Sequence, residues 1–187
     1  MLGFAAESVA TTLAPMGQQI AVIAKPSRIP GVVRYEANRN LTGIFVLGGV
    51  TVPHAKGLVG HSDADAVLHA VTDALLGAAG LGDIGDAYPD TDPRWQGADS
   101  RHFLTETLEH LNQLGWKPVN LDVTIFAQEP KLGPAKGAIK SSLARLTGLP
   151  ADCINVKAKT GEKVGHIGRG EAIGAHAVVL IAKAVGS

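Results

Sequence analysis

The sequence predicts an α+β domain, a two-layer sandwich in which helices pack on one face of a mixed β-sheet. Apolar residues recur at helical spacing in three segments and alternate every second residue in others. The two kinds of segment mix without strict β-α-β repetition, which disfavours a doubly wound fold. At 187 residues the chain suits one hydrophobic core.

Taken in order, Ile44-Phe45-Val46-Leu47 reads as a short buried strand stopped by Gly48-Gly49, and Val50 to Pro53 resumes it. From Ala64 to Ala79 good helix formers place Ala66, Val67, Ala70, Val71, Ala74 and Leu75 on one face. A second helix starts after the cap residue Asp99, carries Phe103, Leu104, Leu108 and Leu111, and ends at Gly115. Val119, Leu121, Val123 and Ile125 then alternate as a strand. A third helix from about Pro134 shows Ile139, Leu143 and Leu146 and stops near Gly148. Ile154, Val156 and Ala158 alternate after it, and the last strand runs from about Ala172 to Lys183.

Lys plus Arg and Asp plus Glu are both 17, and no basic run stands out, so the electrostatic footprint of a nucleic-acid binder is missing. The longest apolar run, Ala177 to Ala182, is far short of the roughly 20 residues a spanning helix needs. The stretch from Met1 to about Lys25 has its first cation at Lys25 and is interrupted by Glu7, which does not suit a secretory signal. Cys153, the one cysteine, precedes Ile154 and Val156 and reads as a buried thiol in a reducing compartment.

Four constellations could carry chemistry. His61-Ser62-Asp63-Ala64-Asp65 runs into the first helix, where Ser62 or Asp63 either caps the helix or helps its free amides bind a phosphate. Asp65, His69 and Asp73 follow at intervals of four. They form either a line on which a carboxylate and an imidazole share a metal or the solvent-facing stripe of an amphipathic helix. The loop from Gly82 to Pro93 is acidic, and its carboxylates suit substrate hydroxyls, although Asp and Pro also make turns. The loop from Ala127 to Pro134 leaves a strand and exposes main-chain groups that suit a base edge, with Lys131 for phosphate. Last, Lys157 to Glu171 interleaves cations, Thr160 and glycines, a mixture for gripping a diphosphate or else a solvated hairpin.

In order, Gly57 to Asp65, Leu68 to Ala79, Gly82 to Pro93, Gly97-Ala98-Asp99-Ser100, Pro130-Lys131 and Gly168-Arg169-Gly170-Glu171 resemble the signature of the 2-C-methyl-D-erythritol 2,4-cyclodiphosphate synthase family. The resemblance covers about Gly48 to Lys183 and continues upstream to about Arg28. It divides the chain into an extension of unknown role, residues 1–27, and a synthase-like domain, residues 28–187. It implies a homotrimer with sites between subunits, in the cytoplasm of a bacterium or a plastid-type compartment. The implied reaction closes 4-diphosphocytidyl-2-C-methyl-D-erythritol 2-phosphate into the cyclic diphosphate of non-mevalonate isoprenoid synthesis. The 2-phosphate attacks the β-phosphorus and CMP leaves. The implied partner is that small molecule, with no nucleic acid and no membrane.

The same resemblance implies roles. His61 and Thr160 would be catalytic, Thr160 by stabilising the transition state, and His61 with Ser62 would touch the phosphates. Asp83 with Gly85 would hold the hydroxylated part of the substrate, and Ile84, Tyr88, Asp90 and Asp92 would also bind substrate. Ala127, Pro130, Lys131, Leu132 and Gly133 would form the cytosine pocket, supplied by an adjacent subunit. Lys159, Gly161, Glu162, His166 and Arg169 would surround the diphosphate. Zinc would sit on His69, Glu36 and Asn38, and a second divalent ion, Mg or Mn, on Glu162. Where the family carries Asp-x-His, this chain reads Glu36-Ala37-Asn38. Glu36 keeps a carboxylate, whereas the neutral amide of Asn38 is a poor substitute for imidazole. That departure leaves open a weakened or different metal site, a silent trimeric homologue that binds cytidine nucleotide, or a sequence error within about Ile29 to Phe45.

Overall fold

The computed structural model describes residues 20–23, 33–36, 44–54, 57–59 and 62–183. Its strands are β1 (Ile20–Ile23), β2 (Val33–Glu36), β3 (Ile44–Leu47), β4 (Val50–Pro53), β5 (Gly57–Val59), β6 (Trp116–Phe126), β7 (Ile154–Lys159) and β8 (Ala172–Lys183). Its α-helices are α1 (Ala66–Ala79), α2 (Ile84–Ala87), α3 (Ser100–Gln113), α4 (Lys136–Thr147) and α5 (Gly165–Gly168).

The main sheet has the order β5-β2-β8-β6-β7, with β1 also paired to β8. β6 and β7 run parallel, while β8 is antiparallel to β6, β1 and β2. β3 and β4 form a separate hairpin. Alternation decides which face is covered. Leu121, Val123 and Ile125 of β6, Ile154 and Val156 of β7, and Ile173, Ala175, Val179 and Ile181 of β8 are buried in one cluster. Val67, Leu68, Val71 and Leu75 of α1, Leu104 and Leu111 of α3, and Ile139 and Leu143 of α4 fill the same cluster. Each such buried aliphatic side chain contributes about 1.5–3 kcal/mol of transfer free energy. On the other face Asn155 donates to Asp122 at 2.8 Å and Lys157 pairs with the same carboxylate. Phe126 lies edge-on to His176 there, and Val178 is exposed. Helices on one face of a mixed sheet are the architecture the periodicities predict.

Some local expectations are corrected. The first helix starts at Ala66, two residues later than read, because neither Ser62 nor Asp63 caps it. Asp65 does, accepting from the Val67 and Leu68 amides at 3.0 Å. The same carboxyl also accepts from Gly48 at 2.8 Å and Gly49 at 2.7 Å, so it ties the β3–β4 turn to α1. Gly48 and Gly49 both hold positive φ, 61° and 72°, a conformation that costs other residues energy. Cys153 is half-buried, at the end of a short 3-10 turn, rather than enclosed. The Lys157 to Glu171 segment is no hairpin, since β6 lies between β7 and β8. Within the stretch read as an extension, Ile20–Ile23 pairs with Val179–Ala182 of β8. No helix among the described residues is long and apolar enough to cross a membrane.

Candidate active site

The chemistry-bearing residues fall into two groups. The first surrounds α1. The Ser62 hydroxyl lies 3.1 Å from His69 Nε2 and 3.5 Å from the Ser100 hydroxyl. Ser100 is fully buried and bonds the Asp63 carboxylate through its hydroxyl and, at 3.2 Å, through its amide. The Asp63 amide in turn donates to the Ala98 carbonyl at 3.0 Å. Asp63 therefore clamps the turn before α1 onto the start of α3, and the clamp sets the Ser62 hydroxyl against the imidazole. Burial lowers the His69 pKa, while the Asp63 charge acts the other way. A neutral imidazole keeps a lone pair available for a metal or a proton.

The line Asp65, His69, Asp73 is thus neither a shared metal set nor a solvent stripe. Asp65 is fully buried and spends both oxygens on amides. Asp73 is half-buried and accepts from the Ile84 amide at 2.8 Å. The acidic loop carries α2, whose N-cap Asp83 accepts from the Asp86 amide at 2.9 Å in a capping box. Asp83, Gly85 and Asp90 are exposed, and Ile84 is half-buried. Tyr88 turns its hydroxyl toward α3, 3.3 Å from the Phe103 carbonyl and from Thr107, and its ring packs on Phe103 and Trp95. Asp92 caps the turn at Pro93 and holds Arg94 in a bidentate pair, which lowers its pKa.

The second group gathers where the parallel strands β6 and β7 end side by side, Phe126 opposite Lys159. The Ala127 amide donates to the Lys159 carbonyl at 2.9 Å. Loops that leave neighbouring parallel strands at their carboxyl ends are a recurrent place for ligand sites. Ala127 and Leu132 are buried, Pro130 is half-buried behind a cis peptide bond, and Lys131 and Gly133 are exposed. In the facing loop the Thr160 hydroxyl donates to Glu162, and Glu162 and Lys163 both have positive φ, 48° and 64°. Backbone strain of this kind concentrates at functional sites. Lys159, Glu162 and His166 are exposed, Gly161 is half-buried, and Arg169 is held in a bidentate pair by Glu171 at 2.7 and 2.9 Å.

This loop closes through backbone packing. A Cβ on Gly168 would stand 2.4 Å from the Lys163 carbonyl carbon and 2.9 Å from the Gly161 oxygen. Gly168→Ala is expected to shift the turn that carries Thr160 and Glu162. The loss should be about 1–3 kcal/mol of stability and at least about tenfold in turnover, read by thermal unfolding and product release.

Among the described residues no hydrogen bond or ion pair joins the two groups. His61 and Asn38 lie outside the described residues, and so does the side chain of Glu36, whose backbone ends β2 opposite Gly57. Among the described residues no three His, Cys, Asp or Glu side chains cluster to hold a metal. Of the described ionisable side chains around the start of α1, Asp63 and Asp65 are committed to Ser100 and to amides, which leaves the His69 imidazole as the group there able to face a ligand. The Asp63–Ser100 clamp and the Asp73–Ile84 bond escaped the sequence reading, because both join residues distant along the chain. Their trace is that Asp63, Asp73, Ile84 and Ser100 all fall within the ordered motifs.

Residues 33–182 match the model of the YgbB family. The chain belongs to that family. Family relatives include a protein of Dechloromonas aromatica, 56% identical over 137 residues, covering 73% of this chain and 86% of the relative. One of Bordetella petrii is 55% identical over 140 residues, covering 75% and 86%. Both carry the name 2-C-methyl-D-erythritol 2,4-cyclodiphosphate synthase. Among solved structures, a synthase of that name in its CDP-bound form is 41% identical with a TM-score of 0.72, covering 80% of this chain and 95% of its own. A Plasmodium falciparum family member in complex with CDP is 26% identical with a TM-score of 0.71, covering 91% and 99%.

Proposed function

We propose that this chain closes 4-diphosphocytidyl-2-C-methyl-D-erythritol 2-phosphate into 2-C-methyl-D-erythritol 2,4-cyclodiphosphate. The observation that carries this reading is the family match over residues 33–182, with relatives of that name at about 55% identity. An oxygen of the 2-phosphate forms a bond to the β-phosphorus, the bond from that phosphorus to the α-phosphate oxygen breaks, and CMP leaves with the electron pair. The barrier is anion meeting anion, so the site must neutralise charge and hold the attacking oxygen in line.

Ser62 and His61 contact the phosphates, Asp83, Ile84 and Gly85 hold the erythritol hydroxyls, and the Ala127 to Gly133 loop takes cytosine. Thr160 turns its hydroxyl away from Glu162 and donates to the developing charge, while Lys159 and Arg169 offset it; the Glu171 pair keeps the Arg169 fork oriented. His69 with Glu36 would hold a divalent ion, with zinc the proposed occupant, and Glu162 would hold a second one, Mg or Mn. Such ions supply positive charge against the diphosphate.

A homotrimer completes the site. The sheet face that the helices leave uncovered, with Phe126 and Val178 on it, supports this. Residues 28–187 form the synthase unit and residues 1–27 an extension that adds β1 to its sheet, acting in a bacterial cytoplasm or plastid-type compartment.

The second reading, a silent homologue that binds cytidine nucleotide, is favoured by Asn38 standing where the family carries histidine. Zinc-reconstituted protein assayed for metal content and CMP release decides between them. Stoichiometric metal with CMP release is expected; cytidine nucleotide binding without CMP release would establish the silent homologue.

A further inference from the structure

We propose that Asp73 is a positioning residue, which fixes the Asp83-Ile84-Gly85 turn for the polyol part of the substrate. This rests on the function proposed above. Asp73 lies in the body of α1, one turn beyond His69, and is not among the residues to which the family resemblance gives a role. Its Oδ1 accepts from the Ile84 amide at 2.8 Å.

Ile84 opens α2, and the first amides of a helix have no partner inside it. Here two carboxylates share them. Asp83 takes the Asp86 amide at 2.9 Å from within the turn, and Asp73 takes the Ile84 amide from the neighbouring helix. The capping box sets the internal shape of the turn, because it joins residues of the turn to each other. It cannot set where the turn stands relative to His69 and Ser62. The Asp73 bond ties the first residue of the turn directly to α1, which carries both Asp73 and His69, while Tyr88 anchors the other end of α2 to α3.

Burial raises the Asp73 pKa, the Ile84 amide pulls it back, and the Asp83 charge pushes it up. Placing a half-buried carboxylate near a second one is electrostatically unfavourable. A turn only needing to be closed could leave its amide to water. A turn that must present the Asp83 carboxylate and the Gly85 backbone at a set distance from the phosphate contacts gains from a rigid tether, since about an ångström of misplacement is enough to lose binding geometry.

The test uses full-length protein carrying Asp73→Ala or Asp73→Asn. Asn keeps an oxygen that can accept from Ile84, whereas Ala does not. Equilibrium binding of the diphosphocytidyl substrate and of CMP would be measured, with amide hydrogen exchange at Ile84 and the unfolding midpoint.

Asp73→Ala is expected to weaken substrate at least about tenfold and to leave CMP within about twofold. The Ile84 amide should exchange faster, and Asp73→Asn should restore both. Substrate binding by Asp73→Ala equal to wild type would overturn the inference. So would equal losses for substrate and CMP, or an asparagine variant that behaves like alanine. Wild-type protein that fails to bind the substrate would instead sink the proposed function, and this inference with it.

Discussion

Alanine in place of His69 is expected to lower CMP release by about 10²–10³-fold, the size of effect that follows loss of one preorganised charge-stabilising group. The fold should survive, because the ring is only half-buried and its described contacts are the Ser62 hydroxyl and an edge-on approach to Phe103 at 6.0 Å between centroids. The variant should also lose bound metal, since His69 is the imidazole the family resemblance assigns to one. Wild-type turnover in the variant would remove His69 from the mechanism. Retained metal with lost turnover would place the ion elsewhere and leave His69 acting on the phosphates through Ser62.

The second large effect is on stability. Asp65→Ala is expected to cost about 4 kcal/mol in urea unfolding, a large share of what a domain of this size possesses. The carboxyl is fully buried and accepts four amides, at 2.8, 2.7, 3.0 and 3.0 Å, from the β3–β4 turn and from the first turn of α1. Removing it orphans donors in two elements at once and takes away the helix cap. A loss under about 1 kcal/mol would show that water reaches these amides.

The same group gives a pH dependence with a defined sign. Burial pushes the Asp65 pKa up to about 6, although the Gly49, Leu68 and Gly48 amides pull it down. The folded state therefore holds this proton more tightly than the unfolded chain, whose value stays near 3.8. Stability from this group is full below the unfolded value, is lost as pH rises through about 6, and is flat above it. About 3 kcal/mol should separate the two limits, and Asp65→Asn should remove that part of the slope. A wild-type slope identical to that of the asparagine variant would contradict the raised value.

How legible each feature was follows the range of the interaction behind it. The strand Ala172 to Lys183 and the helix around Leu104 and Leu111 were read with their boundaries close to those found, because each shows its period within its own residues. Asp99 was read as a cap and is one, since capping acts over two or three residues. The start of α1 was misread because Ser62, Asp63 and Asp65 are all good caps. The choice among them fell to Ser100, which takes Asp63, and to Gly48 and Gly49, which take Asp65.

The candidate site divides in the same way. Residue types in order along the chain were enough to name the family, because its motifs are local runs of residues. Pairing across the fold was invisible there: Asp63 with Ser100, Asp73 with Ile84, and the Ala127 amide with Lys159 join segments whose separation in sequence says nothing about distance in space. Backbone periodicity and side-chain chemistry act between near neighbours and are written directly in the chain. Which carboxylate caps a helix, which tethers a loop and which stays exposed is decided only when packing of α1 against α3 and the sheet fixes who lies within hydrogen-bonding reach.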